Sequence, residues 1–83
     1  MESDIDDNSA HQRGALHRSF VVLRALAAHQ KDGVRVTHLA KEIGLTQATT
    51  HRLLQGLVQE GVVEQDQQHK LYRLGLDLFA LAA

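Results

Sequence analysis

Two threonines set nine residues apart, with a glycine between them, constrain this chain more than any other feature. Thr37 and Thr46 each precede apolar residues at helical spacing, and a Thr hydroxyl in that place accepts a backbone N–H of the first helical turn. Gly44 falls where a helix ends in a left-handed residue. The stretch predicts a helix over His38–Ile43 capped by Thr37, then a tight turn through Gly44 and Leu45. A second helix follows from Gln47 to about Glu60 and is closed by Gly61. Two helices crossing at ~90–120° through so short a turn need a small residue where the backbones approach. Ala40 supplies it, and Leu39, Ile43, Leu45 and Leu53 are the apolar residues that hold the angle. Thr50, Leu53, Leu54, Leu57 and Val58 form the inner stripe of the second helix. Thr50 stands where Val or Ile would pack, and its hydroxyl can bond back to a carbonyl one turn earlier.

The flanking segments extend the pattern. Leu16, Phe20, Leu23, Leu26 and Ala27 recur at spacings of three and four, so a helix with one apolar face is expected from about Ala15 to His29. Lys31-Asp32-Gly33 breaks it. Val34-Arg35-Val36 alternates and can add an edge to a small sheet. After Gly61, Val62–Gln65 and Lys70–Leu74 read as strands, with the short polar Asp66-Gln67-Gln68-His69 between them, which makes a β-hairpin. Helix, short strand, helix, turn, helix, hairpin is the order of a winged helix-turn-helix: mainly α with a small β-hairpin, a three-helix core plus wing. Residues 15–75 are assigned to this domain. Residues 1–14 lack apolar periodicity and are expected to be a disordered acidic tail, while residues 76–83 read as the start of a further helix.

Composition narrows the chemistry. The chain has 83 residues and no Cys, which excludes disulfides, thiolate metal sites and a cysteine nucleophile. Ser3, Ser9 and Ser19 lie in no strand–turn–helix elbow, the carboxylates are scattered, and no Gly-rich phosphate loop occurs, so no enzyme is expected. None of the six His has another three or four residues away, so no metal site and no cofactor is expected. No apolar run approaches the ~18 residues of a membrane span, and the acidic start is not a secretory signal, so the expected location is cytoplasmic, away from membranes. The net charge of −1 conceals an asymmetry. Glu2, Asp4, Asp6 and Asp7 crowd the start, and from Asn8 onward nine Lys/Arg face six Asp/Glu, a balance of +3.

Several segments together resemble the N-terminal DNA-binding domain of IclR-type bacterial transcriptional regulators. They are Thr37-His38-Leu39-Ala40, Ile43-Gly44-Leu45, Thr50-His51-Arg52-Leu53-Leu54, Glu60-Gly61-Val62-Val63-Glu64 and Tyr72-Arg73-Leu74-Gly75-Leu76. The likeness runs from about Ala15 to Leu81. It implies sequence-specific binding of double-stranded DNA, a role as transcriptional regulator that is mostly a repressor, and a helix opening at Gln47 that lies in the major groove. In that family an effector-binding domain follows, so Leu76–Ala83 is read as the start of the connecting helix, and the effector domain as absent from this chain.

The residue types support such a face independently. From Thr46 to Gln59 there is no Asp or Glu to repel phosphate. Gln47, Ala48, His51, Arg52, Gln55 and Gln59 face away from the stripe, and Gln47, Ala48, Thr49, His51, Arg52 and Gln55 are the candidate DNA contacts. Arg52 suits guanine O6 and N7, and Gln47 or Gln55 suits adenine N6 and N7. Thr46, and Thr37 at the preceding helix start, suit phosphates, because free N–H groups and the helix dipole favour an anion there. On the hairpin, His69, Lys70 and Arg73 are placed to meet flanking phosphates or the minor groove, and Arg18 on the first helix to reach the backbone. One such domain makes few contacts, so a homodimer on two half-sites is expected. The alternative is a winged helix that contacts protein instead of DNA. It calls for an apolar or acidic patch on the same helix, which Gln47-Ala48-Thr49-His51-Arg52 does not offer.

Overall fold

The computed structural model describes residues 2–75, with side chains from Arg13 onward. It has three helices, α1 (Glu2–Ala28), α2 (Val36–Ile43) and α3 (Gln47–Gln59), and two strands, β1 (Val63–Asp66) and β2 (Leu71–Leu74). The strands pair antiparallel in the register Val63 with Leu74 and Asp66 with Leu71. On its other side β2 meets Val34, with Val34 N–H donating to the Tyr72 carbonyl at 3.1 Å and Tyr72 N–H to the Val34 carbonyl at 2.8 Å. Tyr72 is thus the middle of a miniature three-stranded arrangement. The Gln30 side chain continues it, accepting from Leu74 N–H at 2.9 Å and donating to the Leu74 carbonyl at 3.1 Å.

The core lies where the three helices meet this sheet. Val22, Leu26, Val34, Leu39, Leu54, Val63 and Tyr72 are buried, and Val36, Ile43, Leu53, Leu57 and Val58 pack around them. Each fully buried aliphatic side chain of this size stabilises the fold by about 1.5–3 kcal/mol relative to exposure.

The turn between α2 and α3 forms as the residue types dictate. Gly44 adopts φ 75°, ψ 26°, and no neighbour lies within 4 Å of where a Cβ would stand, so it is backbone conformation and not space that requires glycine there. The N–H groups of Gly44 and Leu45 both donate to the Ala40 carbonyl, at 3.0 and 3.1 Å, and close the helix end. Gly75 answers to the opposite cause. A Cβ on it would lie 2.6 Å from the Gly61 carbonyl oxygen, and its N–H donates to the Val62 carbonyl at 2.8 Å. The start and the exit of the hairpin touch through backbone there, with no room for a side chain.

Three expectations require correction. First, α1 does not start near Ala15 but is continuous from Glu2 through the stretch read as an acidic tail. The stretch holds no Pro and one Gly, and its acidic residues fall at the helix end where the positive pole favours them. Second, of the expected stripe Leu16, Phe20, Leu23, Leu26 and Ala27 only Leu23 and Leu26 face inward, joined by Val22. Val22 and Leu26 are fully buried, whereas Leu16 and Phe20 are 59% and 47% exposed. Two overlapping apolar stripes exist in the sequence, and packing against α2, α3 and β2 selects the one on Val22 and Leu26. Third, Thr37 does not cap α2. The helix begins at Val36, behind Arg35 in extended backbone, and no side chain caps it. Only Val34 pairs with β2, so the chain is free to turn at Arg35, and Val36 packs on the core from the first helical position. The helix start expected at residues 76–83 lies outside the described residues.

Candidate nucleic-acid interface

The start of α3 is built by three threonines. Thr46 caps the helix: its Oγ1 accepts from Thr49 N–H at 3.1 Å and donates to Thr49 Oγ1 at 2.9 Å. Thr50, fully buried, donates its hydroxyl to the Thr46 carbonyl at 2.8 Å, one turn back. This is the back-bond its position implied, and it leaves a buried hydroxyl satisfied. With the first turn held, Gln47, Ala48, His51, Arg52 and Gln59 are exposed on the opposite side. No carboxylate occurs between Glu42 and Glu60, so that face carries no negative side chain of its own helix.

Gln55 behaves differently from its neighbours. It is half-buried, and its amide nitrogen donates to Tyr72 Oη at 3.2 Å and lies 3.4 Å from His51 Nε2. Tyr72 comes from β2 and is 2% exposed. The pair therefore joins the middle of α3 to the hairpin, a link that helix periodicity alone does not reveal.

Two shallow hollows flank the exposed face. One of about 250 Å³ is lined by Ala15, Arg18, Thr49, Arg52 and Leu53, and it brings Arg18 of α1 beside Arg52. The other, of about 330 Å³, runs between the start of α2, α3 and the hairpin, and includes Arg35, Thr37, His51, Gln65, Lys70 and Tyr72. Arg35 was missed by the sequence reading, which took it for a strand residue. Its signal was its place one residue before a helix start, where an exposed guanidinium borders free backbone N–H groups.

The hairpin tip is organised around Asp66. Its Oδ1 accepts from the N–H groups of Gln68 and His69 at 3.0 and 3.2 Å, and its Oδ2 lies 2.9 Å from His69 Nδ1. These bonds, the His69 side chain foremost, hold the Asp66 carboxyl below its ordinary range. His69 is therefore engaged within the turn. Lys70 follows it in the left-handed region at φ 57° and is exposed. Arg73 is drawn elsewhere, its guanidinium donating to the Asp32 carbonyl at 3.0 Å in the loop after α1. The fold thus gathers Thr37, Gln47, Ala48, His51, Arg52 and Lys70 about one face with Arg18 at its edge. Thr46, Thr49 and Gln55 serve the helix and its brace, and Arg73 ties the hairpin to a loop.

Three helices, a hairpin and a polar, carboxylate-free second turn-helix define a winged helix-turn-helix DNA-binding domain. The IclR helix-turn-helix domain matches residues 15–67, and the chain belongs to that family. The glycerol operon regulatory protein of Streptomyces coelicolor is 37% identical over 67 residues, which are 81% of this chain and 26% of that protein. An IclR transcriptional regulator from Alicyclobacillus acidocaldarius superposes with a TM-score of 0.76 at 29% identity, over 82% of this chain and 27% of that one. Pseudomonas aeruginosa HmgR gives a TM-score of 0.70 at 27% identity, over 80% of this chain and 28% of that one. The chain spans about a quarter of the length of the curated relatives it matches. The matched part of the family is its DNA-binding domain, and no described helix is long and apolar enough to cross a membrane.

Proposed function

We propose that this domain inserts α3 into the major groove of a duplex operator and acts as a homodimer in a cytoplasmic repressor, without enzymatic activity. The observation that carries the reading is the exposed, carboxylate-free side of α3, bordered on both flanks by cations. At 1.5 Å rise per residue, Gln47 to Gln55 spans about 12 Å, close to the width of the major groove. Arg52 donates its two-pronged guanidinium to guanine O6 and N7, and Gln47 pairs with adenine N6 and N7. Arg18, Arg35 and Lys70 sit on phosphates either side, and Thr37 and the Thr46 end of α3 hold the intervening backbone. Gln55, already bonded to Tyr72, sets the hairpin's angle to α3 and reads no base. Two copies double the contacts over half-sites one or more helical turns apart.

Selection of bound sequences from a random duplex pool tests the whole reading. The expected product is a motif repeated with two-fold symmetry. Three phosphate-bound cations give a log–log salt slope of about −3 per domain. A pool that returns no enriched motif, or binding indifferent to salt, would favour the protein-contacting winged helix instead.

A further inference from the structure

We propose that His29, His38 and Glu42 form a site for a divalent transition metal that ties α1 to α2. His38 and Glu42 share α2, while His29 comes from the end of α1, nine residues before His38, which is why histidine spacing within single helices did not reveal the cluster. His29 follows the last residue of α1, its N–H donating to the Leu26 carbonyl at 2.9 Å. His38 lies in the first turn of α2, and Glu42 lies four residues later on the same face of that helix. His29 Nε2 is 3.0 Å from both carboxylate oxygens of Glu42. The His29 and His38 rings stand edge-on, with centroids 5.6 Å apart.

One donor atom from each residue lies within 4.8 Å of the other two. Ligands of a tetrahedral zinc, each ~2.0–2.1 Å from the ion, are about 3.3 Å from one another. Side-chain torsions supply the remaining closure, because His38 and Glu42 are exposed and the ion takes the place of the His29–Glu42 contact. Two imidazoles with one carboxylate suit zinc, cobalt or nickel, and not calcium or magnesium, which call for oxygen cages. A hollow of about 460 Å³ beside His38 and Glu42 leaves room for a water at the fourth position. Lys41 lines the same hollow and opposes the ion's charge, which sets the site to moderate affinity. A bound ion would fix the α1–α2 crossing, and because metal binding and unfolding are read without DNA, the site stands or falls separately from the DNA reading.

Calorimetric titration of the chain with zinc chloride alone tests this, alongside H38N, E42Q and H17N. One equivalent is expected to bind the parent chain. Loss of a second-shell partner already weakens metal sites by about 10–100-fold, so H38N and E42Q should each weaken binding at least about tenfold, while H17N, on a histidine remote from the cluster, stays within about twofold. Zinc should also raise the unfolding midpoint of the parent chain and leave that of H38N unmoved, and cobalt should give the visible absorption of a tetrahedral ion. Circular dichroism checks that each variant folds. No saturable binding, affinity that survives H38N or E42Q, or several weak equivalents lost with H17N would each overturn the site.

Discussion

Replacing Arg52 with alanine separates base reading from charge attraction. Arg52 is exposed on the second turn of α3, and no hydrogen bond or ion pair joins it to the described residues. Truncation should therefore change the stability of the fold by no more than about 0.5 kcal/mol. A bidentate pair with guanine discriminates by about 1–3 kcal/mol, which is roughly 5- to 150-fold in affinity. On a duplex taken from the selected pool, R52A should lose that factor, and the loss should vanish on a duplex altered at the one base pair Arg52 reads. R52K keeps the charge and lacks the fork, so it should recover less than half of the lost free energy. Lys70→Ala should instead weaken every sequence alike and reduce the salt slope by about 1. Fluorescence anisotropy at two salt concentrations measures all four proteins. If R52A weakens all sequences equally and R52K matches the parent, Arg52 holds a phosphate and the assignment of the base-reading residue is wrong.

Other perturbations test the frame that presents this face. Thr50→Val removes a hydroxyl whose acceptor, the Thr46 carbonyl, also receives Thr50 N–H at 3.0 Å, so nothing is orphaned. The lost bond is worth ~1 kcal/mol and the buried hydroxyl costs about as much, so urea unfolding should show a change within about 1 kcal/mol, whereas Thr50→Ala adds a cavity and costs more. Gly75→Ala forces a Cβ against the Gly61 carbonyl and should destabilise by about 1–3 kcal/mol; an unchanged midpoint would show that the hairpin exit shifts freely. The Asp66 carboxyl is lower in the folded chain than in the unfolded one. Its contribution is therefore full above the ordinary carboxylate range and fades as pH falls through the folded value. Protection of the Gln68 and His69 amide protons, taken relative to the intrinsic exchange rate at each pH, should fall over that acidic window, and D66A should lack that protection at every pH.

What the sequence made legible was the chemistry decided within a turn or two of the chain. Gly44 needs positive φ, Thr46 offers its oxygen to an N–H three residues on, and Thr50 reaches a carbonyl four residues back. Each is a local contact whose partner is fixed by spacing alone, and each stands in the structure where the spacing put it. The features that escaped are decided between elements. Two apolar stripes overlap at Leu26 on α1, and only the position of α2, α3 and β2 chooses Val22 over Leu16 and Phe20. Val36 left the expected strand for α2 because the core rewarded its burial more than β2 could reward another pairing.

The same division runs through the candidate site, and it explains why the residue list divided as it did. Gln47, Ala48, His51 and Arg52 were identifiable because a helix face is a property of period, and their freedom follows from facing away from the core. Gln55 has the same period but falls opposite Tyr72, and Arg73 falls opposite the Asp32 carbonyl, so both found partners inside the protein. A polar side chain near the hairpin is therefore open to an outside ligand only where no complementary atom of the chain comes within about 3 Å of it. Arg35 and Lys70 meet that condition around the groove beside α3, while His69 does not, since the Asp66 carboxylate holds it. Removing that carboxylate should release the imidazole toward solvent and the phosphates beyond. D66N keeps the acceptor for the turn's two N–H groups while discharging the pair, so it should bind duplex DNA more tightly than the parent, with a steeper salt slope; equal binding would mean that the tip never approaches the backbone.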